Sequence, residues 1–169
     1  MAIHSHANGI DSSRVKPTGE ARSISRETTF GRDTRDTGLL RATLYHLAEQ
    51  VGADLRRQGR QARCVTVKLR YADFTTVTRQ QSRRCAIERD QGIFDVGCEL
   101  LMKELNREKQ AVRLIGIGVS RLGEGRQSEM LDSSVERRER LNAAIDRVRD
   151  KYGFASIETG RTILLKDIL

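Results

Sequence analysis

Strict alternation of apolar and polar residues over positions 64–71 constrains the fold of this chain more than any other feature. The apolar positions are Val65, Val67, Leu69 and Tyr71. The positions between them are Cys64, Thr66, Lys68 and Arg70. Because successive side chains of a β-strand point to opposite faces, the pattern predicts a strand with one buried face and one polar, cationic face. A sheet that contains it is expected to be covered on one side only.

Apolar residues recur at helical spacing in two other segments. The first helix is expected to begin at a cap formed by Asp36 or Thr37 and to stop before Gly59. Its apolar face is Leu40, Leu44, Leu47, Val51 and Leu55. The face of the second helix is Phe94, Cys98, Leu101 and Leu105. Such spacing places each set on one side of a helix, which can then pack on a sheet.

The order of the elements indicates a single α/β (α+β) domain. Further strands are predicted in 23–30, 75–82 and 112–122, which completes the order β-α-β-β-α-β. The handedness of crossover connections then places both helices on one face of a four-stranded sheet. The other face carries Ser, Thr, Lys, Arg and Gly, and is left open to solvent or to a partner.

Composition divides the chain into three parts. Residues 1–21 are polar, contain the only proline and are expected to be a linker. Residues 22–123 form the sheet domain, and residues 124–169 a linker followed by a helical tail. The apolar stripe of the tail helix is Leu141, Ile145, Val148 and Tyr152. The segment 156–165 is predicted to be a short strand or an extended end, and the tail has too little apolar area to fold alone.

The chain carries a net charge of +8, and the excess is unevenly distributed. Residues 124–169 contain equal numbers of basic and acidic residues, so the whole excess lies in residues 1–123. Part of it forms a run without an intervening acid: Arg56, Arg57, Arg60, Arg63, Lys68 and Arg70. A polyanionic partner is one explanation of this run. The alternative is a solvated, arginine-rich surface that has no partner.

Two glycines interrupt the strand VRLIGIGVSRL, residues 112–122. Gly116 and Gly118 share one face of this strand with Leu114 and Ser120. Glycine weakens a strand because it has no side chain to pack and loses more backbone entropy than other residues do. We therefore expect a partner that approaches the backbone closely across the open face.

The predicted open face is suited to phosphate groups rather than to bases. Its outward positions include Thr66, Lys68, Arg70, Thr78 and the two glycines, and none of them is aromatic. Hydroxyls, backbone N–H groups and cationic side chains bind phosphates without reading the base sequence. The RNA-recognition module has the same order of elements but stacks bases on aromatic residues of its sheet, so that module is disfavoured.

The sequence contains no recognisable catalytic or metal-binding motif, and no such residue is predicted. Cys64, Cys85 and Cys98 lack metal-site spacing and are expected to be reduced thiols. No apolar run is long enough to cross a membrane, and the chain does not open on a signal-peptide pattern, so a cytoplasmic protein is expected. The alternatives to a polyanion-binding domain are a protein-interaction module and a small self-contained enzyme.

Several segments resemble one protein family, in order, along nearly the whole chain. RSISRETTFGRDTRD, residues 22–36, is similar to the KSIG-E-TTF-RD segment of Y-family DNA polymerases of the polymerase IV, or DinB, type. TTVTRQ and VRLIGIGVSRL resemble the third and the last strand of the C-terminal domain in that family. RRERLNAAIDRVRDKYGFASI resembles the tail of bacterial members, and ANGIDSSRVKP resembles the end of their thumb domain.

The resemblance implies that the chain is a little finger domain, preceded by a thumb remnant and followed by the tail. In the family this domain lies along primer–template DNA and holds mainly phosphates. The parent protein would be a translesion DNA polymerase that uses Mg²⁺ and deoxynucleoside triphosphates. The fragment itself would bind duplex DNA, need no cofactor and polymerise nothing, because no segment resembles the catalytic palm.

The resemblance and the alternation together predict the DNA-binding residues. They are Arg22, Ser23, Ser25, Arg26, Thr29, Thr66, Lys68, Arg70, Thr76, Thr78, Arg79, Gly116, Gly118 and Ser120. The alternation selects the same face as the resemblance on the last three strands. Arg26 has the inward parity of Ile24, and Ser25 stands where the family usually has glycine.

A segment of the linker, residues 127–131, lies where many relatives carry a sliding-clamp peptide of the Gln-x-x-Leu-Phe kind. The matching residues are Gln127, Met130 and Leu131. Loss of the aromatic anchor is expected to weaken such a contact. A linker that contains these residues by chance is the alternative. Docking to the clamp is the second function that the sequence allows.

Overall fold

The computed structural model of the chain describes residues 2–12, 14, 19–87, 89–124, 133–162 and 165. Its strands are β1 Ser23–Thr34, β2 Arg60–Tyr71, β3 Thr76–Ile87, β4 Val112–Ser120 and β5 Gly123–Glu124. Its helices are α1 Ala2–Ala7, α2 Thr37–Arg57, α3 Asp90–Arg107 and α4 Ser133–Tyr152. A single 3₁₀ turn, Phe154–Ser156, follows α4. The sheet domain therefore has the predicted order of elements.

Four strands form one antiparallel sheet in the order β1-β4-β2-β3, with β4 and β2 at the centre. Helix α2 packs on β1, β4 and β2, and α3 packs on α2, β2 and β3. Both helices thus cover the same face of the sheet, which confirms the predicted fold class. The side chains that point away from these helices form the open face.

Local signals explain where α2 begins and ends. The Asp36 carboxylate accepts hydrogen bonds from the backbone N–H groups of Gly38 at 2.8 Å and Leu39 at 3.2 Å, so it caps the helix. At the other end Gly59 has a φ of 60°, which residues with a side chain rarely adopt, and the chain turns back into β2. The five leucine and valine residues predicted for the apolar face of this helix are all buried.

β1 and β3 continue past the ends that the alternation predicted, and β2 begins before its predicted start, at Arg60. β1 continues to Thr34, beyond an irregularity in its pairing with β4 that begins after Thr29. β3 continues to Ile87, five residues past the predicted end. The added stretches, GRDT and RRCAI, are mostly exposed on both sides of the strand. Because neither side is buried there, the sequence carries no alternation that could have revealed them.

Segments predicted to be linkers contain short elements. α1 lies within residues 1–21. β5 pairs with Arg60 and Gln61 of β2, so the predicted boundary after residue 123 falls inside a strand. The strand considered for the segment 156–165 is not formed in its described part. Thr162 instead donates its backbone N–H and its hydroxyl to the Thr159 carbonyl, at 2.9 and 3.0 Å, and closes a turn.

Helix α4 docks on the helix layer through ion pairs more than through its apolar stripe. Asp146 accepts hydrogen bonds from Arg56 of α2 at 2.7 and 3.0 Å. Asp150 accepts one from Arg57 at 2.8 Å. The ends of the predicted stripe stay exposed: Leu141 is 58% and Tyr152 66% accessible. Asp146 and Asp150 of the tail therefore neutralise Arg56 and Arg57, two cations of the basic run between residues 56 and 70.

A buried arginine anchors this tail. Arg149 is 6% exposed and Glu49 of α2 is 4% exposed, and their charged groups lie 3.3 Å apart. Arg149 also donates to the Ile157 carbonyl at 2.9 Å and lies over the Phe154 ring, 4.0 Å from its centroid. The Phe154 ring meets the His46 ring edge to face at 5.5 Å. The tail is thus tied to α2 by one compact set of polar and aromatic contacts.

Acidification is expected to weaken this docking because of His46. Burial, and then the positive charge of Arg149, hold the pKa of His46 below its ordinary value of 6.5, while the Glu158 carboxylate opposes them. As the pH falls, the unfolded chain therefore binds this proton before the folded chain does. The stabilisation is complete above pH 6.5 and is lost as the pH falls from there through the lowered pKa.

Urea unfolding of the chain and of His46→Gln at about pH 7.5 and about pH 5.5 tests this expectation. The loss of stability on acidification should be smaller in the variant, which cannot take up the proton. Glu49, whose pKa is raised by burial, contributes with the opposite sign. That contribution is common to both proteins and cancels in the comparison. Equal losses in the two proteins would assign the pH effect to other groups.

Candidate nucleic-acid interface

Four rows of outward-facing residues cross the open face, with one residue from each of β1, β4, β2 and β3. The first row is Ser23, Ser120, Cys64 and Ser82, and the second is Ser25, Gly118, Thr66 and Gln80. The third row is Glu27, Gly116, Lys68 and Thr78, and the fourth is Thr29, Leu114, Arg70 and Thr76. Hydroxyls predominate in these rows, and no aromatic residue stands in them.

Eleven of the fourteen residues predicted for the site lie in these rows. They are Ser23, Ser25, Thr29, Thr66, Lys68, Arg70, Thr76, Thr78, Gly116, Gly118 and Ser120. Arg22 is exposed and lies directly before β1. The alternation and the resemblance together thus located one continuous surface, although its ligand stays a prediction.

Arg26 and Arg79 lie on the helix-covered side of the sheet, as the inward parity of Arg26 indicated, and the DNA-binding role that the resemblance implied for them stays a prediction. The Arg26 guanidinium pairs with Asp54 of α2. Nε of Arg79 donates to Glu104 of α3 at 2.7 Å. Glu104 also accepts from the Tyr71 hydroxyl at 3.4 Å, and burial followed by this negative charge raises the pKa of Tyr71 to about 12. Both arginines therefore tie strands to helices.

The two glycines of β4 are required by the sheet itself. A Cβ atom at Gly118 would lie 2.8 Å from the Cβ of Ser25 and 3.2 Å from the carbonyl oxygen of Ile24. At Gly116 it would lie 2.9 Å from the Cβ of Glu27. The close neighbour inferred from the sequence is therefore β1, and the interpretation of these glycines as space for an external partner is corrected.

Glu27 is a residue of this face that the sequence reasoning missed. Its carboxylate accepts a hydrogen bond from Nζ of Lys68 at 2.8 Å, across Gly116. The side chains of Lys68 and Glu27 are 35% and 50% exposed, so the pair lies at the surface. The sequence could have placed Glu27 on the open face, because position 27 has the same parity in β1 as Ser23 and Ser25.

A shallow depression with a volume of about 320 Å³ lies over the middle of the face. Gly116 and Gly118 form part of its lining. The hydroxyl groups around it belong to Ser23, Ser25, Thr66, Thr78 and Ser120. Hydroxyls donate hydrogen bonds to phosphate oxygens, and a surface without aromatic rings gives bases nothing to stack on. The depression is chemically suited to a phosphate group.

Most of the cationic run predicted to face a polyanion is paired with acids inside the molecule. Arg56 binds Asp90 as well as Asp146, and Arg57 binds Asp54 as well as Asp150. Arg60 pairs with Glu20. These acids are distant in sequence from most of the arginines, so the run looked uncompensated. The run is therefore weak evidence for a polyanion.

Three other predictions concern the clamp, a metal and a membrane. Gln127, Met130 and Leu131 lie outside the described residues, so clamp binding stays a prediction. Across the ranges that the structure covers, no three His, Cys, Asp or Glu side chains are arranged to hold a metal ion. The resemblance implied Mg²⁺ for the parent polymerase and not for this chain, so that metal stays a prediction. Among the described helices, none is long and apolar enough to cross a bilayer.

The fold and the face define a class of protein: an α+β domain with two helices behind a sheet and a polar, non-aromatic face in front. The model of the impB/mucB/samB family C-terminal domain matches residues 21–132. The chain belongs to this family, and the resemblance to Y-family polymerases of the DinB type is confirmed. It is a little finger domain of that type.

Curated relatives and solved structures agree with this assignment. DNA polymerase IV of Dehalococcoides mccartyi strain 195 is 45% identical over 96% of this chain, and the match covers 42% of that protein. DNA polymerase IV 1 of Mesorhizobium japonicum is 37% identical, with 92% of this chain and 36% of that protein covered. The post-insertion binary complex of Dbh DNA polymerase shares the fold, with a TM-score of 0.55 and 19% identity over 73% of this chain and 35% of that one. The chain thus spans about two-fifths of the length of the curated relatives it matches.

Proposed function

We propose that residues 22–123 bind the phosphate backbone of primer–template DNA through the open sheet face, as part of a translesion DNA polymerase. The composition of that face carries the proposal. Its four rows contain hydroxyls, two glycines and two cations, and they contain no aromatic residue. Such a surface binds phosphates and does not read base edges. The matched family and the names of the relatives support the same ligand.

Each part of the face has a role in this proposal. Hydroxyls around the depression donate hydrogen bonds to phosphate oxygens, and Lys68 and Arg70 neutralise phosphate charge. The helix layer behind the sheet keeps the rows at fixed spacing, so the contacts form together. Binding is expected to be independent of base sequence and to weaken as the salt concentration rises.

This chain corresponds to about two-fifths of the length of its relatives. In this proposal, the polymerase chemistry belongs to the remaining part of the parent protein. That part would use Mg²⁺ and deoxynucleoside triphosphates, while this domain holds the duplex. The flanking residues 1–21 and 124–169 would join it to the rest of the protein and form its tail. The chain of 169 residues is therefore expected to incorporate no nucleotide in a primer-extension assay.

Charge reversal at Lys68 tests whether the open face binds DNA. Lys68→Glu exchanges one attractive charge for one repulsive charge beside the phosphates, a change of about 2 kcal/mol, or roughly 30-fold in Kd at low salt. The loss should be similar for duplexes of different sequence, and the slope of log K against log salt should become shallower by about one. Fluorescence anisotropy with a labelled duplex measures both quantities.

Lys103→Glu is the matched control. Lys103 lies on α3, behind the sheet, and pairs with Glu99 at 2.7 Å, much as Lys68 pairs with Glu27. The same substitution there should change the Kd by less than about twofold, because this site lies on the other side of the domain. If the two variants lose equal affinity, or if binding does not respond to salt, the open face is not the binding surface. Nucleotide incorporation by this chain would instead support the self-contained enzyme.

A further inference from the structure

The second and third rows of the open face differ in whether side chains from β1 and β2 meet above the glycine of β4. Lys68 and Glu27 stand on the strands that flank β4, so their Cα atoms are about two strand spacings, roughly 9–10 Å, apart. Their long side chains nevertheless meet above Gly116, with 2.8 Å between Nζ and Oε2. In the next row Ser25 and Thr66 flank Gly118, and neither side chain is long enough to span the same gap. An ion pair therefore covers Gly116 in the third row, whereas neither flanking side chain covers Gly118 in the second row.

The ion pair removes much of the positive charge that the face offers. Glu27 is the only acid in the four rows, and Lys68 is one of only two cations in them. While they are paired, the third row presents almost no net charge to a phosphate. The other cation, Arg70, donates its Nε–H to the Thr76 hydroxyl at 2.9 Å, which does not neutralise it.

We propose that Glu27 limits the affinity of this domain for DNA by competing with the phosphate backbone for Lys68. The inference rests on the proposed function, since it concerns the same face and the same ligand. Glu27 holds the ammonium group of Lys68 above Gly116. The neutral row of hydroxyls at Gly118 is then the more accessible binding position for a phosphate. A phosphate can still displace Glu27, because the pair is exposed and exposed ion pairs are weak.

Two substitutions at position 27 separate the reach of the side chain from its charge. Glu27→Gln removes the charge, and it is expected to tighten duplex binding about fivefold at low salt and to steepen the log–log salt slope by about one. Glu27→Asp keeps the charge but is one methylene shorter, so its carboxylate is drawn back from Lys68 and the ion pair is weakened. Weaker competition for Lys68 should therefore steepen the salt slope in this variant too, by less than in Glu27→Gln, although the net charge is unchanged.

Glu99→Gln and Glu99→Asp are the matched controls, because Glu99 pairs with Lys103 at 2.7 Å behind the sheet. Both controls should bind like the parent chain. All variants are made in the full chain and are measured by anisotropy with one labelled duplex at several salt concentrations.

The possible outcomes are distinct. Weaker binding by Glu27→Gln would mean that Glu27 aims Lys68 at the phosphate, which overturns the inference. Tighter binding by Glu27→Gln with an unchanged slope in Glu27→Asp would assign the effect to net charge alone, and this also overturns it. If Lys68→Glu weakens binding selectively while both Glu27 variants bind like the parent, only this inference fails. If Lys68→Glu and Lys103→Glu are equivalent, the proposed function fails and the inference fails with it.

Discussion

Replacement of Arg149 with methionine is expected to detach the C-terminal tail from the helix layer. The substitution leaves the Glu49 carboxylate, 4% exposed, without its cation, and breaking such a buried pair typically costs about 3–5 kcal/mol. Burial already raises the pKa of Glu49, and Arg149 is the main group that opposes this shift. Methionine also loses the hydrogen bond to the Ile157 carbonyl. Detachment relieves the cost, because Glu49 then reaches water.

Amide hydrogen exchange distinguishes detachment of the tail from unfolding of the domain. Amides of α4 should lose protection in Arg149→Met, whereas those of β2 and β4 keep it. Arg147→Met is the matched control, since Arg147 is exposed on the same helix, and it should change stability by less than about 0.5 kcal/mol. Unchanged protection of α4 in Arg149→Met would show that the buried pair does not hold the tail.

A double replacement gives an independent check of this mechanism. Glu49→Leu together with Arg149→Met removes both charges and leaves two apolar side chains of suitable size. Such exchanges are often neutral or stabilising, so most of the docking should return. If the double variant were as poorly docked as Arg149→Met alone, the loss would come from the contacts of Arg149 with Ile157 and Phe154 instead.

Valine at position 118 is expected to destabilise the sheet by about 1–3 kcal/mol, the usual range for overpacking. Its Cβ would lie 2.8 Å from the Cβ of Ser25, and the backbone carbonyl of Ile24 lies 3.2 Å away. Neither neighbour is the free end of a long side chain, so β1 must shift relative to β4. The higher strand propensity of valine offsets only part of this cost.

Gly31→Val is the control for this prediction. Gly31 also lies in a strand, β1, but a Cβ atom there would have nothing within 4 Å. Urea unfolding should place Gly118→Val well below the parent chain and Gly31→Val at or slightly above it. Equal stability of the two variants would mean that β1 and β4 can separate at no cost, contrary to the geometry described above.

Alternation in the sequence predicted the sheet because one face is buried by α2 and α3. Val65, Val67, Leu69 and Tyr71 are at most 2% exposed, and the residues between them point to the open face. The same rule places Arg26 and Arg79 on the helix side, where they bind Asp54 and Glu104. The resemblance named both as DNA-binding residues, and that role stays a prediction, whereas their parity predicted the side of the sheet on which they lie.

Pairing between distant segments was outside the reach of a sequence pattern. Arg56 and Arg57 stand in a run without acids, but their partners Asp146 and Asp150 come 90 and 93 residues later. Such partners become visible only when the tail is placed against α2. The spacing between β1 and β4, which explains the glycines, is likewise a property of the assembled sheet. Glu27 could have been found, because its parity in β1 was readable.

The absence of aromatic residues from the four rows affects how a duplex would move across this domain. A surface that touches only the repeating sugar–phosphate chain makes nearly the same contacts after each shift of one nucleotide. On such a surface the binding free energy of a duplex would be nearly the same at each one-nucleotide step. The domain is therefore suited to translocation along the duplex without a preferred position.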